Sequence, residues 1–359
     1  MTSIAHLVPA GKIVVGVDTH KDVHVAVALD RLGASLGEIR IATNAAGYAD
    51  LRRWALGLGP VDAWGVEGTG SYGAGLAGTL LRAGERVIEV NRPDRTARRR
   101  EGKSDALDAE SAARAVLSGR MTGIPKSADG EVEAVRVIKV AKDGAVKSRT
   151  AAMNSIKNLL ITAPAALRAD LEPLSDHGLV SRCSGLRTGP VSEPLGATRH
   201  ALRSLARRWQ ELDREIEAHV ALLGSLTRSA APGLLASYGV GPDTAADLLI
   251  AAGDNPGRLH SEAAFAALCG ASPIPASSGR TNRHRLNRGG DRAANAALYR
   301  IVVVRMGRHE PTIAYVARRT GEGRSKREIM RCLKRFLVRE LYPLLRPAAE
   351  YPEQAVLAS

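Results

Sequence analysis

The spacing of hydrophobic and polar positions changes character along this 359-residue chain. Up to Val90 the apolar residues come in short, β-branched runs. KIVVGVD (Lys12 to Asp18) and VHVAVAL (Val23 to Leu29) flank a polar turn, Thr19 to Asp22, and predict a hairpin. GEIRIA (Gly37 to Ala42) predicts a third strand, VDAWGVE (Val61 to Glu67) a fourth and Arg86 to Val90 a fifth. Helical spacing is predicted over Ala45 to Trp54, Ser71 to Ala83 and Ser104 to Leu117. Three antiparallel strands followed by alternating helix and strand describe a mixed α/β sheet.

From about Val132 the period lengthens to that of long helices, over Val132 to Leu160 and Ala197 to Leu226. The second keeps Leu202, Leu205, Trp209, Leu212, Ile216, Val220 and Leu223 at spacings of three and four, a seam of coiled-coil type. Ser175 to Thr198, rich in Gly, Ser and Pro, predicts a loop. Near Pro232 a third region begins. YGVGP (Tyr238 to Pro242) joins two short apolar helices, Gly233 to Ser237 and Asp243 to Ala252. Gly-x-Gly between short helices is the pattern of a helix-hairpin-helix, whose loop amides approach a phosphate backbone. A helix at Ala263 to Cys269, a Pro/Ser loop at Ser272 to Gly279, a basic stretch to Arg292 and helices at Ala293 to Val304 and about Ser325 to Leu341 complete the pattern. The expected architecture is an α/β domain of ribonuclease-H-like element order over residues 1–125, a helical coiled-coil region over 126–230, a mostly α C-terminal domain over 231–347 and a tail over 348–359.

Charge narrows the partners. The chain holds 51 Lys and Arg against 37 Asp and Glu, a net +14, which points to a polyanion. Most of the surplus is Arg, which forks onto phosphates and stacks on bases better than Lys. Aromatic residues are only 3% of the chain, so affinity is expected from Arg and backbone amides rather than from base stacking. Cys183, Cys269 and Cys332 form no CxxC pair, which disfavours a disulfide framework or a structural zinc site and fits a reducing cytoplasm. No apolar run reaches the length of a membrane span, and MTSIAHLVPAGK lacks the layout of a secretory signal. A cytoplasmic protein with no membrane partner is expected.

The chemistry is carried by acids. Asp18 ends one predicted strand and Glu67 another, the latter before the glycine-rich turn GTGSYG. Asp105 and Asp108, three apart in KSDALDAE, share one helical face with Cβ atoms about 5–6 Å apart. Singly, each acid reads as a turn former or a first-turn helix acid. Together, in the order strand-Asp, strand-Glu, helix-Asp-x-x-Asp, they form a set that would repel itself without a cation, and hard oxygens favour Mg²⁺ or Mn²⁺. Two such ions about 4 Å apart orient a nucleophile and stabilise a leaving oxygen in phosphodiester chemistry. Asp22 and Asp62 precede strands and fit less well.

These segments resemble the DEDD transposases of the insertion-sequence-110 family, RuvC-like recombinases of bacterial mobile elements. The resemblance rests on GVDTHKDVHVAVAL, VEGTGSYG, NRPDRTARRREGKSDALDAESAARA, YGVGPDTAADLL and FAALCGASPIPASSGRTNRHRLNRGGDRAANAALYRI, in that order along nearly the whole chain. It implies a RuvC-like N-terminal domain with Asp18, Glu67, Asp105 and Asp108 as metal ligands. It further implies a C-terminal transposase domain whose serine, Ser278 of ASSG beside Ser277, attacks DNA to form a phosphoserine link. A serine hydroxyl needs activation to act so. Arg98, Arg99, Arg100 and Lys103 before the acidic helix, and Arg280, Arg283, Arg285, Arg288 and Arg292 after the serine, are the expected phosphate contacts. The resemblance also implies donor and target DNA, an element-encoded guide (bridge) RNA that takes over sequence choice, and a homodimer assembling into a homotetramer, with the Leu202 to Leu223 seam as the dimer element. Two other readings stand beside it: a RuvC-like junction endonuclease that uses metal-activated water, and a nucleic-acid-binding protein with a decayed site.

Overall fold

The computed structural model describes residues 11–90, 104–277 and 284–345. The chain divides into two compact units, a first through residue 128 together with 253–260, and a second made of 129–252 and the residues from 261 on.

In the first unit the short apolar runs form β1 (Ile13–Thr19), β2 (Val23–Leu29) and β3 (Ser35–Ala42). Helix α1 (Ala45–Leu58), β4 (Val61–Glu67), α2 (Ala74–Arg82), β5 (Val87–Val90) and α3 (Asp105–Leu117) follow. The sheet order is β3-β2-β1-β4-β5, with β1 antiparallel to β2 and parallel to β4, the ribonuclease-H-like arrangement. Both faces are covered, so the central strands read as continuous apolar runs rather than as alternations. Val15, Val17, Trp64 and Val66 meet Leu51 of α1 and Leu76 and Leu80 of α2. On the other face Val14, Val25, Val27 and Ile88 meet Ala109, Ala112, Ala113 and Val116 of α3.

That second contact is close because the sheet offers glycine where α3 crosses it. A Cβ on Gly16 would lie 2.1 Å from the Ala109 carbonyl oxygen, and one on Gly65 would lie 2.7 Å from a Val116 methyl. Small residues on both sides let the helix backbone rest on β1 and β4. Residues 253–260 complete this unit. Asn255 accepts from the Ser127 amide (3.1 Å) and donates to the Pro125 carbonyl (2.9 Å), while Arg258 donates to the Ile124 carbonyl (3.0 Å) and lies 3.6 Å from Glu89.

The second unit opens with α4 (Glu131–Ile161), α5 (Ala165–Leu171), α6 (Asp176–Ser184) and α7 (Pro194–Ala230). Ser229 pairs with Glu131 and Arg149 with Asp213, so α4 and α7 run antiparallel. Of the seam expected as the dimer element, Leu202, Trp209, Ile216 and Leu223 are buried within the chain, the first two against α4 residues such as Met153 and Ile156, while Val220 stays exposed. The loop expected over Ser175 to Thr198 is corrected, since most of its first half is α6. The Ser175 hydroxyl caps that helix by accepting from the Gly178 amide (3.3 Å), and Leu179, Val180 and Cys183 anchor it. From Pro194 the same segment is already α7, with proline in the first turn, where no amide is needed.

Beyond α7 lie α8 (Pro232–Ala236), α9 (Pro242–Ala252), α10 (Glu262–Leu268), the short strands β6 (Ile274–Pro275) and β7 (His284–Arg285), α11 (Arg292–Arg308), α12 (Glu310–Gly321) and α13 (Lys326–Leu341). Helices α5 and α12 have no counterpart in the sequence expectations. The α8–α9 hairpin forms as expected. The Gly241 amide donates to the Thr244 hydroxyl (3.0 Å), and the Tyr238 carbonyl accepts from Arg305 (2.8 Å). The first turn of α9 also carries its own anion, Asp243. Burial opposes its charge, yet hydrogen bonds from Lys142 (2.5 Å) and Arg300 (2.6 Å) and the charge of Lys139 hold its carboxyl down to about 2. No helix among the described residues is long and apolar enough to cross a membrane.

Candidate functional site

The four acids of the sequence pattern stand at one end of the first unit's sheet. Asp18 follows Val17, which pairs with Val66, and Glu67 follows Val66, so the two carboxylates end adjacent parallel strands. The Thr19 hydroxyl donates to the Glu67 carbonyl (3.1 Å) and ties those ends together. Side chains alternate along a strand, so Asp18 shares the face of Val14, and Glu67 that of Ala63, which is the face covered by α3. Helix α3 begins there. Ser104 caps it by accepting from the Leu107 amide (3.2 Å), which places Asp105 and Asp108 in its first turn.

Asp18 is 5% exposed and Asp108 3%, both deep for carboxylates. The Oδ2 atom of Asp18 is buried and makes no hydrogen bond, and His20 Nδ1 lies 3.4 Å from it. Burial raises the Asp18 carboxyl above its ordinary range; Asp108 and Asp105 push the same way, and His20 pulls against them. One ligand atom each from Asp18, His20 and Asp105 lies within 4.8 Å of the others. Two carboxylates and an imidazole at that separation, one oxygen lacking a hydrogen bond, fit a divalent cation.

His20 is the residue that the sequence pattern missed. Its signal was present, because residues two apart at a strand end fall on one side, and Asp18-Thr19-His20 has that spacing. Glu89 of β5 is an acid close in sequence to the set but differently engaged. It accepts from the Thr69 hydroxyl (3.0 Å) and faces Arg258, so it serves packing of the first unit.

The second unit holds a large basic cleft of about 1620 Å³, between the β6–β7 strands and helices α11, α12 and α13. Arg285, Arg288 and Arg292, expected as phosphate contacts, all line it. So do further arginines that the sequence pattern did not single out, among them Arg318, Arg331 and Arg339. Ser278, Arg280 and Arg283, and Arg98, Arg99, Arg100 and Lys103, lie outside the described residues. Cys183 and Cys269 are buried, with thiols that burial pushes up to about 11 and about 12, which leaves them inert packing groups.

Comparison with protein families matches residues 15–163 to a transposase model, the DEDD domain of IS110 elements, and residues 233–317 to the model described as "Transposase IS116/IS110/IS902 family". The first match spans all four acids and His20. The second spans the serine segment and helix α11. No curated protein matches the chain.

Proposed function

The chain belongs to the IS110-family transposases, enzymes that cut and join DNA, and from that premise we propose that it is an RNA-guided recombinase of a bacterial insertion sequence that works through a phosphoserine intermediate. The observation that carries the reading is the convergence of Asp18 and Asp105, with His20, at the end of a ribonuclease-H-like sheet beside Glu67 and Asp108.

Asp18, Glu67, Asp105 and Asp108 would hold Mg²⁺ or Mn²⁺, which supplies neutralisation of charge at the phosphoryl oxygens. Ser278 Oγ attacks the scissile phosphorus, and its proton passes to a neighbouring base. The bond from phosphorus to the leaving sugar oxygen breaks, and that oxygen takes up a proton. Because the phosphoserine link keeps a phosphodiester, a sugar hydroxyl of the second DNA rejoins the strand by the reverse attack, with no outside energy source. Arg285, Arg288 and Arg292 steady phosphates beside the serine segment. Sequence choice falls to a guide RNA that pairs with donor and target DNA, and the protein acts as a dimer or tetramer.

The test is covalent capture. The full-length protein is incubated with the flanking noncoding RNA of its element, labelled donor and target DNA and Mg²⁺, then denatured and run on a gel. A labelled adduct that disappears in Ser278→Ala and in Asp105→Asn is the expected result. DNA cut to free ends without an adduct, and cut equally well by Ser278→Ala, would replace the serine with water and make the protein a junction endonuclease. An adduct that forms as well without the RNA would remove the guide.

A further inference from the structure

We propose that the cleft between α11, α12 and α13 seats an unpaired nucleic-acid strand, with bases stacked on Tyr299 and Phe336 and phosphates held by the surrounding arginines. The inference rests on the reading of this chain as a nucleic-acid enzyme, and it adds a strand-binding site with its own recognition chemistry.

Size is the first argument. At about 1620 Å³ the cleft exceeds the roughly 300–1,000 Å³ of ordinary small-molecule sites, so a polymer segment suits it better than a metabolite. Charge is the second. Nine arginines and one lysine line the cleft against a single carboxylate, Glu328, which is engaged in capping α13 with Ser325. Such a wall attracts a polyanion.

The aromatic side chains select an unpaired strand. The whole chain has three Trp, seven Tyr and two Phe, and yet Tyr299, Tyr315 and Phe336 meet in this one cleft. Tyr299 is 49% exposed and Phe336 47%. A phenylalanine ring has no polar atom to give to water, so its half-exposed placement among arginines leaves apolar surface for a ligand to cover. The rings are also held in place. Tyr315 meets Phe336 edge to face at 5.5 Å, Arg318 lies over Tyr315 at 5.4 Å, Arg339 over Phe336 at 6.0 Å and Lys334 over Tyr299 at 5.4 Å. Duplex pairing hides base faces in its own stack, whereas a single strand presents them to aromatic rings. Aromatic residues are scarce in this chain, but three of them are gathered in one cleft.

The experiment measures binding of the full-length protein to a short single-stranded DNA carrying 2-aminopurine, to the RNA of the same sequence and to the matching DNA duplex. Phe336→Leu and Tyr299→Leu keep apolar bulk and remove the aromatic face. Together they are expected to weaken single-strand binding by about tenfold and to abolish the fluorescence change of the stacked 2-aminopurine, while duplex affinity and the salt slope stay as they were. Arg331→Ala is expected to lower the single-strand salt slope by about 0.7. Alkylation of Cys332, which lines the cleft, should slow when the strand is bound. Whichever of the DNA and RNA strands binds more tightly identifies the source of the strand. The proposal is overturned if the aromatic variants bind single strands as the parent does, if they lose single-strand and duplex binding equally, or if Cys332 alkylation is indifferent to the bound strand. Asp18→Asn should abolish cutting and leave strand binding intact, so failure of the recombinase reading and failure of this one are separable.

Discussion

A carboxylate as deeply placed as Asp18, with Oδ2 lacking a hydrogen bond, costs the metal-free protein stability, and a cation relieves that cost. Asp18→Asn should therefore stabilise the metal-free protein by an amount on the order of 1 kcal/mol, seen as a higher melting temperature, and abolish any further rise with Mn²⁺. Thermal melts with and without the ion check both halves. His24 of β2 is the complementary case. It is fully buried and stacked on Tyr48 at 5.9 Å, and burial lowers its pKa below the ordinary 6.5. As pH falls below about 6.5, the unfolded chain takes up a proton that the native protein refuses, so stability declines and goes on declining until the folded pKa is passed. His24→Phe should flatten that decline. Denaturant midpoints measured across this acid range in the two proteins would show it, and parallel curves would rule His24 out as the source.

At the scale of elements, the seating of α3 on β1 is what brings Asp105 to Asp18. Gly16→Val would force the Ala109 and Ala113 backbone outward, with an overpacking cost of about 1–3 kcal/mol or more. It should also weaken Mn²⁺ binding although no ligand is altered. A calorimetric titration alongside the melt would reveal whether position, and not only stability, has been lost. The antiparallel α4–α7 pair makes a second prediction. Ile156→Ala should cost about 2–5 kcal/mol and leave the oligomeric state, read by light scattering, unchanged, because Ile156 is fully buried against residues of its own chain. Much of this was legible in the sequence. The β-branched runs gave the strands nearly to the residue, and Ser104 with Asp105 marked the start of α3. What escaped were features that composition disguises or that only folding assembles. The Ser- and Gly-rich stretch at Ser175 hid a capped helix anchored by Leu179, Val180 and Cys183. The periodicity of α7 required that its apolar face be covered but could not say by which partner. Tyr299, Tyr315 and Phe336 lie on three separate helices, so no local pattern shows that they meet.

For the molecule as a whole, a net charge of +14 predicts binding to DNA that weakens steeply and linearly in a plot of log affinity against log salt. Neutralising Arg285, Arg288 and Arg292 together should make that slope shallower by about 2.7 on duplex DNA if each meets a phosphate, and filter binding over a salt series would read it directly. The division into units has a different kind of consequence. A first unit that borrows residues 253–260 is not finished when residue 128 has been made, because Asn255 and Arg258 supply the partners of the backbone at 124–127 and of Glu89. During synthesis it waits while the α4–α9 stretch of the second unit is translated, on the order of ten seconds at ordinary ribosomal speed. The acids of β1, β4 and α3 thus emerge well before the segment that closes their domain. A nascent chain stalled with residues 253–260 still inside the ribosome would display a first unit more open to protease than one stalled far enough downstream for them to have emerged.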